Sequence, residues 1–233
     1  MKITELDFLD ISEYLNSNVK ALVSLSKAGN MKDDFIRDVF ISKFFSEKSV
    51  VIFGEQVHRT KIAVVDRQTK SPVCGVDGIF TRDKSVVLAV FFADCMPVFF
   101  YDPISEFAGL IHLGWRGISQ NFVISTVSFL EKQIPSSIPS VKVVMGPGIC
   151  GKHFEISQEL AYVFPEIYLT RKKDKVFVNL RKVVKDHLVN AGIKEKNIYD
   201  LNLCSFEEEN LFSFRRNKTE ERNAAFLKLD SEK

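Results

Sequence analysis

Three apolar runs packed close together constrain this chain more than any other feature. Val86–Phe92 and Met96–Tyr101 are continuously apolar, and Phe107–Leu113 follows after a short gap. A strand with one wet face alternates apolar and polar residues; a strand that does not alternate is covered on both faces. Sheets built from such strands need other layers on either side, so the chain predicts α/β or α+β layering. The longest apolar stretch, Val86 to Phe100, is interrupted by Asp94 and is too short to span a bilayer. With 21 Phe among 233 residues the core is expected to be rich in aromatic rings.

Shorter signals surround these runs. Apolar residues at 35, 36, 39, 40, 41, 44 and 45 fit one face of a helix over Phe35–Phe45. Val50–Phe53 and Ile62–Val65 read as strands, and Cys74-Gly75-Val76-Asp77-Gly78 as a glycine-punctuated loop. After Leu113, Gly114 and Gly117 open a helix striped by Ile118, Phe122, Val123, Val127 and Leu130. Val141–Met145 predicts a strand ending at Gly146-Pro147-Gly148. Asn179 can cap a helix striped by Leu180, Val183, Val184, His187 and Leu188, with Gly192 as its stop. Ala224–Leu229 predicts a last strand, and residues 1–20 carry only weak patterning. No repeat divides the chain, so 1–233 is expected to form a single domain.

Composition excludes more than it assigns. Lys+Arg 32 against Asp+Glu 30 gives a net charge of +2, too balanced to point to nucleic acid or a membrane surface. Four Cys without CxxC spacing do not form a disulfide framework in a chain of this length. The N-terminus carries acids early and lacks an apolar core of signal-peptide length, so a cytoplasmic location is expected.

The candidate chemistry lies at the ends of the apolar strands. Cys95 stands just before Met96, and His112 near the end of Phe107–Leu113. His58 follows Val50–Phe53. Two imidazoles and a thiolate make a catalytic zinc set with its fourth position open, and such a zinc supplies a nucleophile at neutral pH. The spacing is not a local zinc pattern, and each residue taken singly has an ordinary structural reading: a small core thiol, a hydrogen-bonded histidine. His153, His187, Cys74, Cys150 and Cys204 are read in that ordinary way. Arg116, beside Trp115 at a helix start, could bind phosphate or simply stack on the indole. Asp77 and Asp94 could orient a ligand histidine or cap a strand end. Arg215-Arg216 reads as a solvated basic pair.

Together these residues are similar to a known pattern. Gln56-Val57-His58, Asp77-Gly78 with Thr81, Ala93-Asp94-Cys95-Met96-Pro97, His112-Leu113-Gly114-Trp115-Arg116-Gly117, Gly146-Pro147-Gly148-Ile149 and Ser213-Phe214-Arg215-Arg216-Asn217-Lys218-Thr219 through Arg222 resemble the YfiH family over roughly 50–230. That family is also called the multicopper polyphenol oxidase or laccase-domain family, and in bacteria the peptidoglycan editing factor. The resemblance implies a layered α-β-β-α sandwich similar to the catalytic domain of cytotoxic necrotizing factor. It implies one zinc on His58, Cys95 and His112, with copper a weaker expectation. It also implies phosphorolysis of adenosine, inosine, guanosine and methylthioadenosine, with deamination of adenosine. Cys95, His112 and Arg116 are then the expected catalytic residues, Arg116, Arg215 and Lys27 the expected phosphate contacts, and a monomer or homodimer the expected state.

The chain departs from the family pattern in places. Lys27, in Leu25-Ser26-Lys27, stands where the family has Arg, and Lys cannot grip phosphate bidentately. Gly148 takes the place of a common Cys, and Glu220-Glu221-Arg222 stands for Thr-Gly-Arg. Two other enzyme readings compete. One is a cysteine hydrolase acting on an amide of a peptidoglycan precursor, with Cys95 as nucleophile and His112 as base. The other is a copper polyphenol oxidase, for which a single His₂Cys set supplies too few ligands. A purely structural metal is the non-enzymatic alternative.

Overall fold

The computed structural model describes residues 7–135 and 137–230, so the N-terminal residues Met1–Leu6, included in the signal-peptide and single-domain expectations, lie outside them. Strand β1 (Phe8–Asp10) and helix α1 (Ser12–Leu15) are followed by β2 (Val19–Ser24) and α2 (Asp34–Phe44). Strands β3 (Val50–Phe53), β4 (Ile62–Val64) and β5 (Gly78–Thr81) lead to the three central strands β6 (Val86–Phe92), β7 (Met96–Asp102) and β8 (Phe107–Leu113). Then come α3 (Trp115–Ser119), α4 (Phe122–Gln133), β9 (Lys142–Met145), β10 (Glu155–Ile156), α5 (Gln158–Ala161), β11 (Leu169–Lys172) and β12 (Lys175–Val178). Helix α6 (Leu180–Asn190), β13 (Ile198–Asp200), α7 (Phe214–Asn217) and β14 (Asn223–Leu229) follow.

Two sheets make the core. One has the order β1-β2-β14-β6-β3, the other β13-β9-β7-β8-β5-β4, and β10-β12-β11 form a small third sheet. The residue alternation explains why the central strands are apolar throughout. Val86, Leu88, Val90 and Phe92 of β6 meet Phe99 and Tyr101 of β7 and Ala108 and Leu110 of β8 between the two sheets. Val87, Ala89 and Phe91 face the other way, onto Phe40 and Ile41 of α2. Val98 and Phe100 of β7 and Ile111 of β8 face outward onto Phe122, Val127 and Leu130 of α4 and Val184 and Leu188 of α6. The result is the expected α-β-β-α sandwich, with no strand face left to water in its centre.

The structure corrects the reading at two places. The expected helix through Ile118–Leu130 is two helices, broken at Asn121, whose φ of 59° is left-handed. The apolar stripe runs across the break, so periodicity alone did not reveal it. The weakly patterned N-terminus supplies β1 and the start of β2, and β2 owes its place to antiparallel pairing with β14, Val23 opposite Ala225. Asn179 does cap α6, accepting from the Lys182 backbone N–H at 3.1 Å. No helix among the described residues is long and apolar enough to cross a membrane.

Candidate functional site

The chain crosses from one sheet to the other between β6 and β7, and Ala93-Asp94-Cys95 makes that crossing. Cys95 therefore sits at the edge where both sheets end. Strand β8 pairs antiparallel with β7, Pro97 opposite His112, and this register brings the His112 ring beside the thiol. His58 comes from the loop after β3, which pairs in parallel with β6. The ligand atoms of His58, Cys95 and His112 all lie within 4.8 Å of one another.

Two polar side chains hold that loop in place. Gln56 continues the pairing of β3 with β6 through its side chain: its amide donates to the Phe91 carbonyl at 2.7 Å and accepts from the Phe91 N–H at 2.8 Å. Asp77, buried, accepts from the backbone N–H groups of Val57 (3.1 Å), His58 (2.9 Å) and Arg59 (2.8 Å). The same carboxylate lies 2.9 Å from His112 Nδ1. Burial would raise the Asp77 carboxyl, but the His112 ring and the Arg59 and His58 N–H groups outweigh it and hold it below its ordinary value. A carboxylate only accepts, so His112 Nδ1 donates to it and Nε2 is the nitrogen turned toward the site. Asp77 thus fixes both the His58 backbone and the His112 ring.

Asp94 does something else. Its carboxylate accepts from Ser205 Oγ (2.7 Å), Ser213 Oγ (2.6 Å) and the Arg215 backbone N–H (2.6 Å). These bonds hold Asp94 at a φ of 90° and tie the C-terminal turns to the crossing. Gly114 completes the cradle, because a Cβ there would stand 3.0 Å from Cys95 Sγ and 3.2 Å from His58 Cδ2.

The electrostatics favour an ionised thiol. Burial opposes ionisation of Cys95, yet the His112 and His58 imidazoles together lower its pKa to about 6. Burial likewise opposes charge on His112, while Cys95 and Asp77 lift it to about 9. Two aligned imidazoles and a thiolate fit a soft, tetrahedral metal ion with a fourth position open.

The set lies at the foot of a cleft of about 670 Å³. Trp115, Arg116, Phe154 and Arg215 contribute to its walls. The Arg116 guanidinium stacks on Trp115, 4.4 Å from the ring centre, and Arg116 also lines the cleft. Arg215 donates to the Glu155 carbonyl at 2.9 Å and lies over Phe154. Arg216 turns inward, donating to the carbonyls of Ser205, Phe206, Glu208 and Leu211. The pair is therefore not a solvated basic face. Lys27 is not brought to the cleft. It follows β2 in a short 3₁₀ turn and pairs with Asp7 at 3.8 Å. Lys32, Arg37 and Arg222 also line the cleft. Arg37 was hidden in the helix pattern of Phe35–Phe45, where a cation amid apolar residues reads as the solvent side; it is buried, against Phe53 and Phe91.

Gly146-Pro147-Gly148 is closely packed: a Cβ at Gly146 would lie 2.8 Å from Pro97. Away from the cleft, Cys150, His153, Cys204 and Glu207 gather within 4.8 Å, although three of them read singly as inert. Cys74 is exposed and donates to Glu55, and His187 is half-buried on α6.

A two-sheet sandwich with two histidines and a cysteine that could hold a metal at the sheet crossing defines a class of protein. Residues 36–230 match the multi-copper polyphenol oxidoreductase laccase family, and the chain belongs to that family. It is 32% identical over 192 residues to the purine nucleoside phosphorylase Cj1217c of Campylobacter jejuni, covering 79% of this chain and 80% of that one. It is 25% identical over 198 residues to the purine nucleoside phosphorylase YlmD of Bacillus subtilis, covering 78% and 71%. Among solved structures it is similar to the Bacillus licheniformis hypothetical protein YfiH, with a TM-score of 0.89 at 23% identity over 96% of this chain and 97% of the other.

Proposed function

We propose that the protein is a zinc-dependent purine nucleoside phosphorylase that acts on adenosine, inosine, guanosine and methylthioadenosine, deaminates adenosine as well, and works in the cytoplasm. The observation that carries this reading is the convergence of His58, Cys95 and His112 at the foot of a cleft that also presents Arg116 and Arg215. The names of the relatives from Campylobacter jejuni and Bacillus subtilis support the same substrate class.

Zinc on these three residues would supply a Lewis acid at the reacting centre. The chain's own groups do the rest. Arg116 and Arg215 hold phosphate by charge-assisted hydrogen bonds and aim an oxygen at C1′ of the ribose. That oxygen bonds to C1′ as the C1′–N9 bond breaks, releasing the purine, which takes up a proton, and ribose-1-phosphate. Trp115, Phe154 and Phe214 give the purine flat apolar surfaces to lie against. In deamination, water adds to C6 of adenosine and ammonia departs, leaving inosine.

The metal-loaded protein incubated with adenosine and phosphate is expected to yield adenine with ribose-1-phosphate, and inosine. A chelator should abolish both reactions. Absence of all three products from the metal-loaded protein refutes the reading.

One observation favours a second reading. Without a metal, Cys95, His112 and Asp77 form a hydrogen-bonded thiolate, imidazolium and carboxylate series. That is the arrangement of a cysteine hydrolase, with a peptidoglycan-precursor amide as substrate. Amidase activity that resists chelators and is lost on thiol alkylation would select it.

A further inference from the structure

We propose that Cys150, His153, Cys204 and Glu207 bind a second zinc ion, closed to substrate, that staples two loops together. The four ligand atoms lie within 4.8 Å of one another and away from the His58, Cys95 and His112 set.

The separations are those a tetrahedral zinc would impose. Bonds of about 2.3 Å to sulfur and about 2.0–2.1 Å to nitrogen or oxygen place tetrahedral S···N pairs about 3.6 Å apart and N···O pairs about 3.4 Å apart. His153 Nδ1 lies 3.3 Å from Cys150 Sγ and 3.7 Å from Cys204 Sγ. It lies 3.4 Å from Glu207 Oε1. One imidazole nitrogen thus faces two thiols and a carboxylate at once. Neutral groups gain little from such a gathering, whereas a thiophilic cation satisfies all four.

The backbone preorganises the ligands in two matching turns. The N–H groups of His153 and Phe154 both donate to the Cys150 carbonyl at 3.0 Å. Those of Glu207 and Glu208 donate to the Cys204 carbonyl at 3.1 and 2.9 Å. Each turn brings residues i and i+3 to one side, giving C-x₂-H and C-x₂-E half-sites. The two turns are joined by backbone bonds, Gly148 N–H to the Leu203 carbonyl at 3.1 Å and Ser205 N–H to the Gly148 carbonyl at 3.2 Å.

The surroundings are those of a metal thiolate. The Cys150 backbone N–H donates to Cys204 Sγ at 3.3 Å, which seats that sulfur beside the first turn. Phe206 stacks on the His153 ring, centres 4.5 Å apart and planes 12° apart, which fixes the direction of its nitrogens. Two thiolates, a carboxylate and a zinc ion carry one net negative charge. Buried Arg181 shares a cleft with Cys150 and Cys204, and Lys152, Lys172, Lys182 and Lys185 line it too. Arg181, Lys182 and Lys185 already pair with Asp200, Asp186 and Glu195, so Lys152 and Lys172 are the cations left to offset that charge.

Cobalt tests the site without interference from the first one. Cys95→Ala removes the sulfur ligand of the cleft, so any sulfur-to-cobalt charge-transfer band in that protein must come from elsewhere. Titration of Cys95→Ala with Co²⁺ is expected to give such a band with intense tetrahedral d–d absorption, saturating at one equivalent and displaced by Zn²⁺. Adding Cys150→Ser and Cys204→Ser should abolish it, and adding His153→Ala should weaken cobalt binding at least tenfold. A folded Cys95→Ala protein without the band overturns the proposal. So does a band that survives loss of both thiols, or a Cys150–Cys204 disulfide in protein purified under reducing conditions with zinc present. If Cys95→Ala does not fold, elemental analysis decides on the wild-type background. Cys150→Ser with Cys204→Ser should lower the zinc content by one per chain, and an unchanged content overturns the proposal.

Discussion

Asp77→Asn separates alignment of the metal ligands from their identity. The native carboxylate serves four donors with two oxygens: Oδ1 takes the His58 N–H and His112 Nδ1, and Oδ2 takes the Val57 and Arg59 N–H groups. Asparagine keeps the shape but replaces one oxygen with an NH₂. With the NH₂ turned toward Val57 and Arg59, two donors then face a donor inside the core. Hydrogen bonds to a charged acceptor are worth about 1.5–3 kcal/mol each, so the metal-free variant should lose at least about 3 kcal/mol. For a chain of this size that is a fall in Tm of about 6–12 °C. If the amide NH₂ turns toward His112 instead, it donates to Nδ1 and leaves the ring proton on Nε2, the nitrogen that faces the site. Loss of such an orienting partner weakens metal binding by about 10–100-fold. Competition against a chromophoric chelator measures the affinity, and calorimetry of the metal-free protein measures the Tm. An affinity within a factor of two or three of wild type, with an unchanged Tm, would refute the role given to Asp77.

Other outcomes follow from the same geometry. In the metal-free protein, Cys95 alkylation by iodoacetamide should rise as pH increases through about 6, because its thiolate forms there and is lost below; His112→Ala should move the midpoint up toward the ordinary thiol value, as read from rates across pH 4–10. Gly114→Ala places a methyl 3.0 Å from Cys95 Sγ, and metal bonds tolerate displacements of only about 0.2 Å, so zinc affinity should fall about tenfold or more while the far-UV spectrum stays native. Gly109→Ala puts a Cβ 1.9 Å from the Phe80 ring in the buried core, so about 3 kcal/mol or more of stability should be lost, read as a Tm fall of about 6 °C or more.

Much of this protein is fixed by local sequence. Val86–Phe92, Met96–Tyr101 and Phe107–Leu113 predict doubly covered strands because alternation is a property of the strand itself, and β6, β7 and β8 lie where those runs do. Asn179 announces the start of α6 because a cap acts over three residues. His58, Cys95 and His112 are recognisable through the motifs around them, whereas their spacing in the chain says nothing of their approach. Tertiary structure decided what depends on register between distant strands and on where loops return. It placed His112 beside Cys95 through the β7–β8 pairing, and it anchored the His58 backbone on Asp77. It left Lys27 outside the cleft and put Arg37 in its wall. It also set Cys150 and His153 against Cys204 and Glu207. Each half-site is visible as an i, i+3 pair, but only the return of the chain past Gly148 brings the two together.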